Sequence, residues 1–349
     1  MNPHRYIARR AGIAFRRAPP KSGLAAMAGS HPYLAGAVAG AAALAVTALL
    51  NYRSAAAAER RNPPIGKFVD VDGVRLHYTE QGAGKPLVLL HGNGSMIQDF
   101  ASSGLIEMAS QTYRVICFDR PGFGHSERPR DTIWTAEAQA ELIAGALEKI
   151  GVSNAIVLGH SWGCSVAVAL ALKFPKLVRS LVLASGYYFP SARVDVVTMS
   201  GPAIPVLGDV IRYTLSPLLA RLMWPFLTRK IFGPAPVPEK FEVGFPKAMA
   251  FRPSQIRASS AESALMIPGA FAAREHYAEL KMPVAVIAGE EDRLINIDDQ
   301  SERLHSELPN STMLRVPGAG HMVHQTAPAA VMAAIEEVSL ATRRVPTAP

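Results

Sequence analysis

AIVLGHSWGCSVAVAL, residues 155–170, sets Ser161, with a glycine two residues away on each side, between two apolar runs. Residues 155–158 are apolar, a Gly-His-Ser-Trp-Gly turn fills 159–163, and 166–170 are apolar again. The first run reads as a buried strand and the second as a helix. A serine at such a junction stands on a nucleophile elbow. The tight turn strains the backbone, the flanking glycines make room for it, and the hydroxyl is exposed at the sheet edge. The free N–H groups of the helix start, from Trp162 onward, point to the same place. The other reading of this stretch is an ordinary strand-to-helix connection, and the flanking sequence decides between them.

On either side, buried strands alternate with helices. Residues 68–78 predict two short strands around the Asp72-Gly73 turn. Further strands are predicted at 87–90, 113–118, 177–184, 284–288 and 312–316, with helices at 136–150, 166–174, 301–308 and 328–340. This alternation specifies an α/β fold built on a mainly parallel, doubly wound sheet. It breaks between 187 and 277, a stretch rich in Pro, Met and aromatics that predicts a helical insertion over the carboxyl edge of the sheet. The expected core is therefore 66–186 together with 278–343.

A serine hydroxyl needs a base, and the base needs an orienting acid. In this architecture the acid and then the histidine follow the serine in chain order. Gly289-Glu290-Glu291-Asp292 follows the strand at 284–288, and Gly318-Ala319-Gly320-His321 follows the last strand. Asp292 is the first candidate for the acid, with Glu290, Glu291 and Asp298 behind it. His321 is the candidate base, and His324 the alternative. An oxyanion hole is expected from the N–H groups of Asn93, in His91-Gly92-Asn93-Gly94, and of Trp162. His91, His125 and His160 read as structural.

The chain resembles the α/β-hydrolase family. The resemblance spans roughly 68–340 and rests on five ordered motifs: H-G-N-G at 91–94, D-R-P-G-F-G-H-S at 119–126, G-H-S-W-G at 159–163, G-E-E-D at 289–292 and G-A-G-H at 318–321. It implies a serine hydrolase with Ser161 as nucleophile, His321 as base, Asp292 as orienting acid, and Asn93 with Trp162 as oxyanion hole. The insertion at 187–277 is similar to the family's cap. The implied reaction is acyl transfer to water on a small-molecule substrate, a carboxylic ester with an apolar acyl or alcohol group, and it calls for no metal or organic cofactor. Relatives that remove halides or open epoxides carry aspartate at the elbow, so the serine speaks against both. Carbon–carbon bond hydrolysis, perhydrolysis and aminopeptidase chemistry use the same three residues and stay open, as does a catalytically inactive binding protein.

The net charge of +8 is confined to the front of the chain. Residues 1–61 hold nine Lys/Arg against Glu59 alone, and the remainder balances at 27 of each sign. The predicted domain therefore has no basic footprint for nucleic acid. Residues 1–30 form a basic tail, 31–52 an apolar stretch of bilayer-spanning length, and 53–65 a linker ending in Arg60-Arg61-Asn62-Pro63-Pro64. The excess of bases before the apolar stretch predicts a single-pass transmembrane anchor, with the N-terminus cytoplasmic and the catalytic domain across the membrane, in the periplasm of a bacterium. A cleaved signal peptide, an Arg-rich presequence and a disordered tail are the rival readings. Cys117 and Cys164 read as two buried thiols.

Overall fold

The computed structural model describes residues 31–344, so the basic tail at 1–30 lies outside the described residues. The chain divides into two units, one up to Thr47 and one from Ala48 onward. Helix α1, Pro32–Arg61, crosses that boundary. It is long and apolar enough to cross a membrane, a test that a membrane anchor and a signal sequence both pass. The expected linker differs from what is observed. Residues 53–61 are helical, because Ala55 to Ala58 are strong helix formers, and the helix stops only ahead of Pro63 and Pro64.

The second unit is built on an eight-stranded sheet of order β1-β2-β4-β3-β5-β6-β7-β8. Its strands are β1 (Lys67–Val71), β2 (Val74–Gln81), β3 (Lys85–Leu90), β4 (Tyr113–Phe118), β5 (Ala155–His160), β6 (Val178–Ala184), β7 (Val284–Gly289) and β8 (Ser311–Val316). Only the β1–β2 and β2–β4 pairings are antiparallel. The central strands are buried throughout, because helices cover both faces. One face packs on α4 (Ala136–Lys149) and α5 (Trp162–Lys173). The other packs on α2 (Ile97–Ser103), α3 (Leu105–Ser110) and α14 (Pro328–Arg344). Thr135 caps α4 by accepting the Ala138 N–H at 3.2 Å. Both cysteines are buried and free.

The strand order reverses at β3, which lies between β4 and β5. Such a switch point opens a crevice at the carboxyl ends of the strands, where open α/β sheets bind ligands. The loop after β3 and the turn after β5 therefore meet, with Leu90 paired opposite Gly159.

Over that crevice lies a helical cap, comprising α6 (Val194–Met199), α7 (Leu207–Tyr213), α8 (Ser216–Phe232), α9 (Glu239–Gly244), α10 (Lys247–Ala250) and α11 (Pro253–Ala273). Its helices begin at 194, not at the expected 187. Tyr188 and Phe189 belong to the main core, and their backbone N–H groups donate to Gln300 Oε1 at 2.7 and 2.8 Å. A buried ion pair joins cap to core. Arg120, just after β4, meets Glu262 of α11 at 2.5 Å, with both side chains fully buried. The same guanidinium donates to the carbonyls of His91 and Gly92 at 2.7 and 2.9 Å and to Gln139 Oε1 at 2.8 Å. Removing one partner strands the other charge out of water. Glu262→Ala is expected to lower stability by about 3–5 kcal/mol in urea denaturation; an unchanged midpoint would show that the pair does not hold the cap.

Candidate active site

Ser161 sits between β5 and α5 with φ 53° and ψ −120°, a left-handed conformation that a side chain rarely adopts. The fit around it is close. A Cβ on Gly163 would run into the Leu90 carbonyl, one on Gly159 into the Gly163 carbonyl, and one on Gly92 would lie 3.1 Å from the Ser161 Cβ. The strained turn is held by its surroundings, including a 2.9 Å bond from the Ser161 N–H to the Ala184 carbonyl. Ser161 occupies the N-cap of α5, yet its side chain caps nothing, which leaves the hydroxyl to other partners.

That partner is His321. Its Nε2 lies 3.0 Å from Ser161 Oγ and its Nδ1 lies 2.7 Å from Asp292 Oδ2. The imidazole and the carboxylate are almost completely buried, at 4% and 2% exposure, so their contact is shielded from water. Asp292 is itself fixed, because its Oδ1 accepts the N–H groups of Leu294 and Ile295 at 2.8 and 3.0 Å. The other acids go elsewhere. Glu290 and Asp298 pair with Arg315, and Glu291 accepts the Gly318 N–H. Serine, imidazole and carboxylate thus form one continuous chain of contacts, an arrangement able to activate a hydroxyl for attack.

Asn93 and Trp162 flank the serine from the loop after β3 and the first turn of α5. The N–H groups of a helix's first turn have no partner within the helix, and Trp162 is in that position. The Asn93 side chain is committed to the cap, donating from Nδ2 to the Ser259 carbonyl at 3.1 Å and to Ser263 Oγ at 3.2 Å. A cavity of about 500 Å³ lies next door, between the outer face of α5 and α11. Trp162, Ser165, Leu172, Met266 and Tyr187 line it, but Ser161, Asp292 and His321 do not.

Three further histidines, His91, His160 and His324, are buried around the site. His91 Nδ1 contacts the Gly92 carbonyl at 2.8 Å, and its Nε2 accepts the Arg120 N–H at 3.0 Å. Burial, reinforced by the Arg120 charge, pushes its pKa down to about 3, so it stays neutral. His160 Nε2 lies 3.1 Å from the His321 carbonyl and so braces the loop that carries His321. Burial, with the charges of His324 and His321, holds His160 well below its ordinary value. His324 faces Asp99 at 3.0 Å rather than the serine. Burial opposes ionisation of Asp99, but His324, His160 and Gln325 outweigh it and hold the carboxyl below its usual range. Asp99, His160 and His324 bring ligand-type atoms within 4.8 Å of one another. Sequence spacing could not show this group, since 225 positions separate Asp99 from His324. Arg120 and Glu262, 142 positions apart, were likewise not legible as a pair.

The model of the family described as alpha/beta hydrolase fold matches residues 85–328. An uncharacterized hydrolase, YugF, of Bacillus subtilis is 30% identical over 269 residues, which are 76% of this chain and 94% of that protein. A 2-hydroxymuconate semialdehyde hydrolase of Pseudomonas is 36% identical over 137 residues, 38% of this chain and 48% of that protein. Among solved structures, a bacterial membrane phospholipase A superposes with a TM-score of 0.62 at 21% identity, covering 89% of this chain and 97% of that one.

The neutral buried histidines set a pH dependence. In the unfolded chain His91 and His160 take up protons below about pH 6.5, whereas in the folded protein they do not. Their contribution is complete above pH 6.5 and is lost as the pH falls, toward about 3 for His91. Each is worth about 1.4 kcal/mol per pH unit on that limb. Urea denaturation at pH 7, 6 and 5 is expected to give steadily falling stability; a flat profile would contradict the assignment.

Proposed function

The chain belongs to the α/β-hydrolase fold family, and we propose that it hydrolyses carboxylic esters through Ser161, His321 and Asp292. The observation that carries this reading is the chain of contacts from Asp292 through His321 to a serine hydroxyl on a strained turn. His321 Nε2 takes the Ser161 proton as Oγ attacks the ester carbonyl, and Asp292 keeps the other ring nitrogen protonated and stabilises the imidazolium. The N–H groups of Asn93 and Trp162 receive the negative oxygen of the tetrahedral intermediate, each donor contributing about 3 kcal/mol. His321 then protonates the departing alcohol. Water, activated by the same imidazole, releases the acid from the acyl-serine.

Residues 31–52 supply the second part of the proposal, a single-pass anchor with the N-terminus cytoplasmic and the hydrolase on the far side of the membrane. A membrane phospholipase A shares this fold, which is compatible with an ester substrate bearing an apolar group. The same three residues are also suited to cleaving a carbon–carbon bond beside a carbonyl. The identity to a 2-hydroxymuconate semialdehyde hydrolase favours keeping that as the second reading.

The full chain is expected to hydrolyse p-nitrophenyl esters, and Ser161→Ala to lower kcat by roughly a factor of a million. Activity on 2-hydroxymuconate semialdehyde and on no ester would move the assignment to the second reading. Turnover of neither substrate, with no labelling of Ser161 by a fluorophosphonate, would leave a binding protein. Alkaline phosphatase fused after Pro349 is expected to be active in a bacterial host; an inactive fusion would reverse the topology.

A further inference from the structure

Helix α8 is apolar on both sides. Inward, Pro217, Thr228 and Phe232 are buried, and Trp224 stacks on Phe241 and Phe245 of the cap. Outward, Leu215 at its N-cap is followed by Leu218, Leu219, Leu222, Met223 and Phe226, at spacings of three and four residues, each 48–75% exposed. The surface helix of a water-soluble domain carries polar groups on that side. A contiguous apolar stripe left in water marks a surface with a partner. Val197 of α6 and Leu207 of α7, 68% and 54% exposed, add to it.

Three observations identify the partner as lipid. Asn51, in α1 just past its apolar run, donates from Nδ2 to the carbonyls of Tyr213 and Thr214, both at 2.9 Å. Those carbonyls form the corner between α7 and α8, and Arg221 of α8 donates to Asn51 Oδ1 at 3.4 Å. The segment of α1 just after a membrane-length apolar run is therefore fastened at the root of the exposed stripe. Leu49 and Leu50, beside Asn51, are themselves 50% and 58% exposed. Finally, α8 carries Arg221, Arg229 and Lys230 and no acidic residue. Bases beside a Leu/Phe stripe are the signature of a helix lying in a membrane interface with anionic headgroups.

We propose that the outer face of α8, extended by α6 and α7, lies in the headgroup–acyl boundary of the bilayer that α1 enters. The cap is then a second membrane contact, and the esters it serves are those dissolved in the bilayer. This rests on reading α1 as a membrane span.

The test uses the full chain reconstituted in phosphatidylcholine–phosphatidylglycerol vesicles, with an environment-sensitive fluorophore on Leu222→Cys and, as control, on Lys176→Cys in an exposed loop of the core. The native cysteines are fully buried and do not compete for label. The expected result is blue-shifted emission at position 222 that doxyl-labelled lipids quench, and none of this at 176. A chain that floats with the vesicles while the label at 222 stays in water overturns the proposal and leaves the α1 reading standing. A chain that does not float overturns both. A label shielded in proportion to protein concentration, and not quenched by lipid, assigns the face to a second copy and also overturns it. With Leu219→Asp, Leu222→Asp and Phe226→Asp combined, turnover of a water-soluble short-chain ester is expected to be unchanged. Turnover of a long-chain ester held in vesicles is expected to fall by about an order of magnitude; equal effects on the two substrates would count against the proposal.

Discussion

A guanidinium removed from water has to be given acceptors on every side. Arg120 meets that demand with the carbonyls of His91 and Gly92, the amide oxygen of Gln139 and both oxygens of Glu262. The acceptors come from three parts of the molecule: the loop after β3, helix α4 and cap helix α11. The position of Asn93, one residue beyond Gly92, thus depends on a charge that does no chemistry. Because all of these acceptors converge on one centre, the loop beside Ser161 and the cap above it cannot shift independently.

The elbow obeys the same logic by sterics. Ser161 holds a positive φ where Gly159 and Gly163 let backbone segments pass at distances no side chain would permit, and where Gly92 keeps the space beside the Ser161 Cβ open. Strain of this kind persists where the surroundings over-determine it. Here the Ala184 carbonyl accepts the serine N–H, while His160, the residue before, braces the His321 carbonyl. Strand β5 therefore positions the hydroxyl directly and its imidazole partner through a neighbouring side chain.

The eight strands and the Ser161 turn were legible because each is a local pattern: an apolar run, a turn residue, a helix start. Asp292 and His321 were legible because chain order places both after strands that end at the same edge. What was not legible is what depends on pairing across the chain. Nothing near Glu262 announces Arg120, 142 positions away, and nothing near His324 announces Asp99. The end of α1 was misjudged for a local reason. Arg60-Arg61-Asn62-Pro63-Pro64 reads as a spacer, but proline ends a helix only where it stands, and the alanines before it prolong the helix. Tyr188 and Phe189 read equally as pocket wall or core, because an aromatic ring suits both, and here they fill the core.

The cap is held in two physically different ways. Helix α11 is fastened by buried and half-buried polar bonds: Glu262 to Arg120, Ser259 and Ser263 to Asn93, Gln255 to the Gly94 and Ser95 carbonyls. Hydrogen bonds of this sort are directional and lose strength quickly with displacement, so α11 is registered to the loop after β3. On α8 the outer face is apolar, and its inner face packs through stacked rings, Trp224 on Phe245 at 5.7 Å between centroids. Stacking sets the mutual orientation of the rings, but the apolar burial that holds them is non-directional and follows the area removed from water. The polar half of the cap thus keeps the site's geometry, while the apolar half can adapt to what it meets outside. Such a division keeps the geometry around Ser161 fixed beneath a cap whose outer part can adjust.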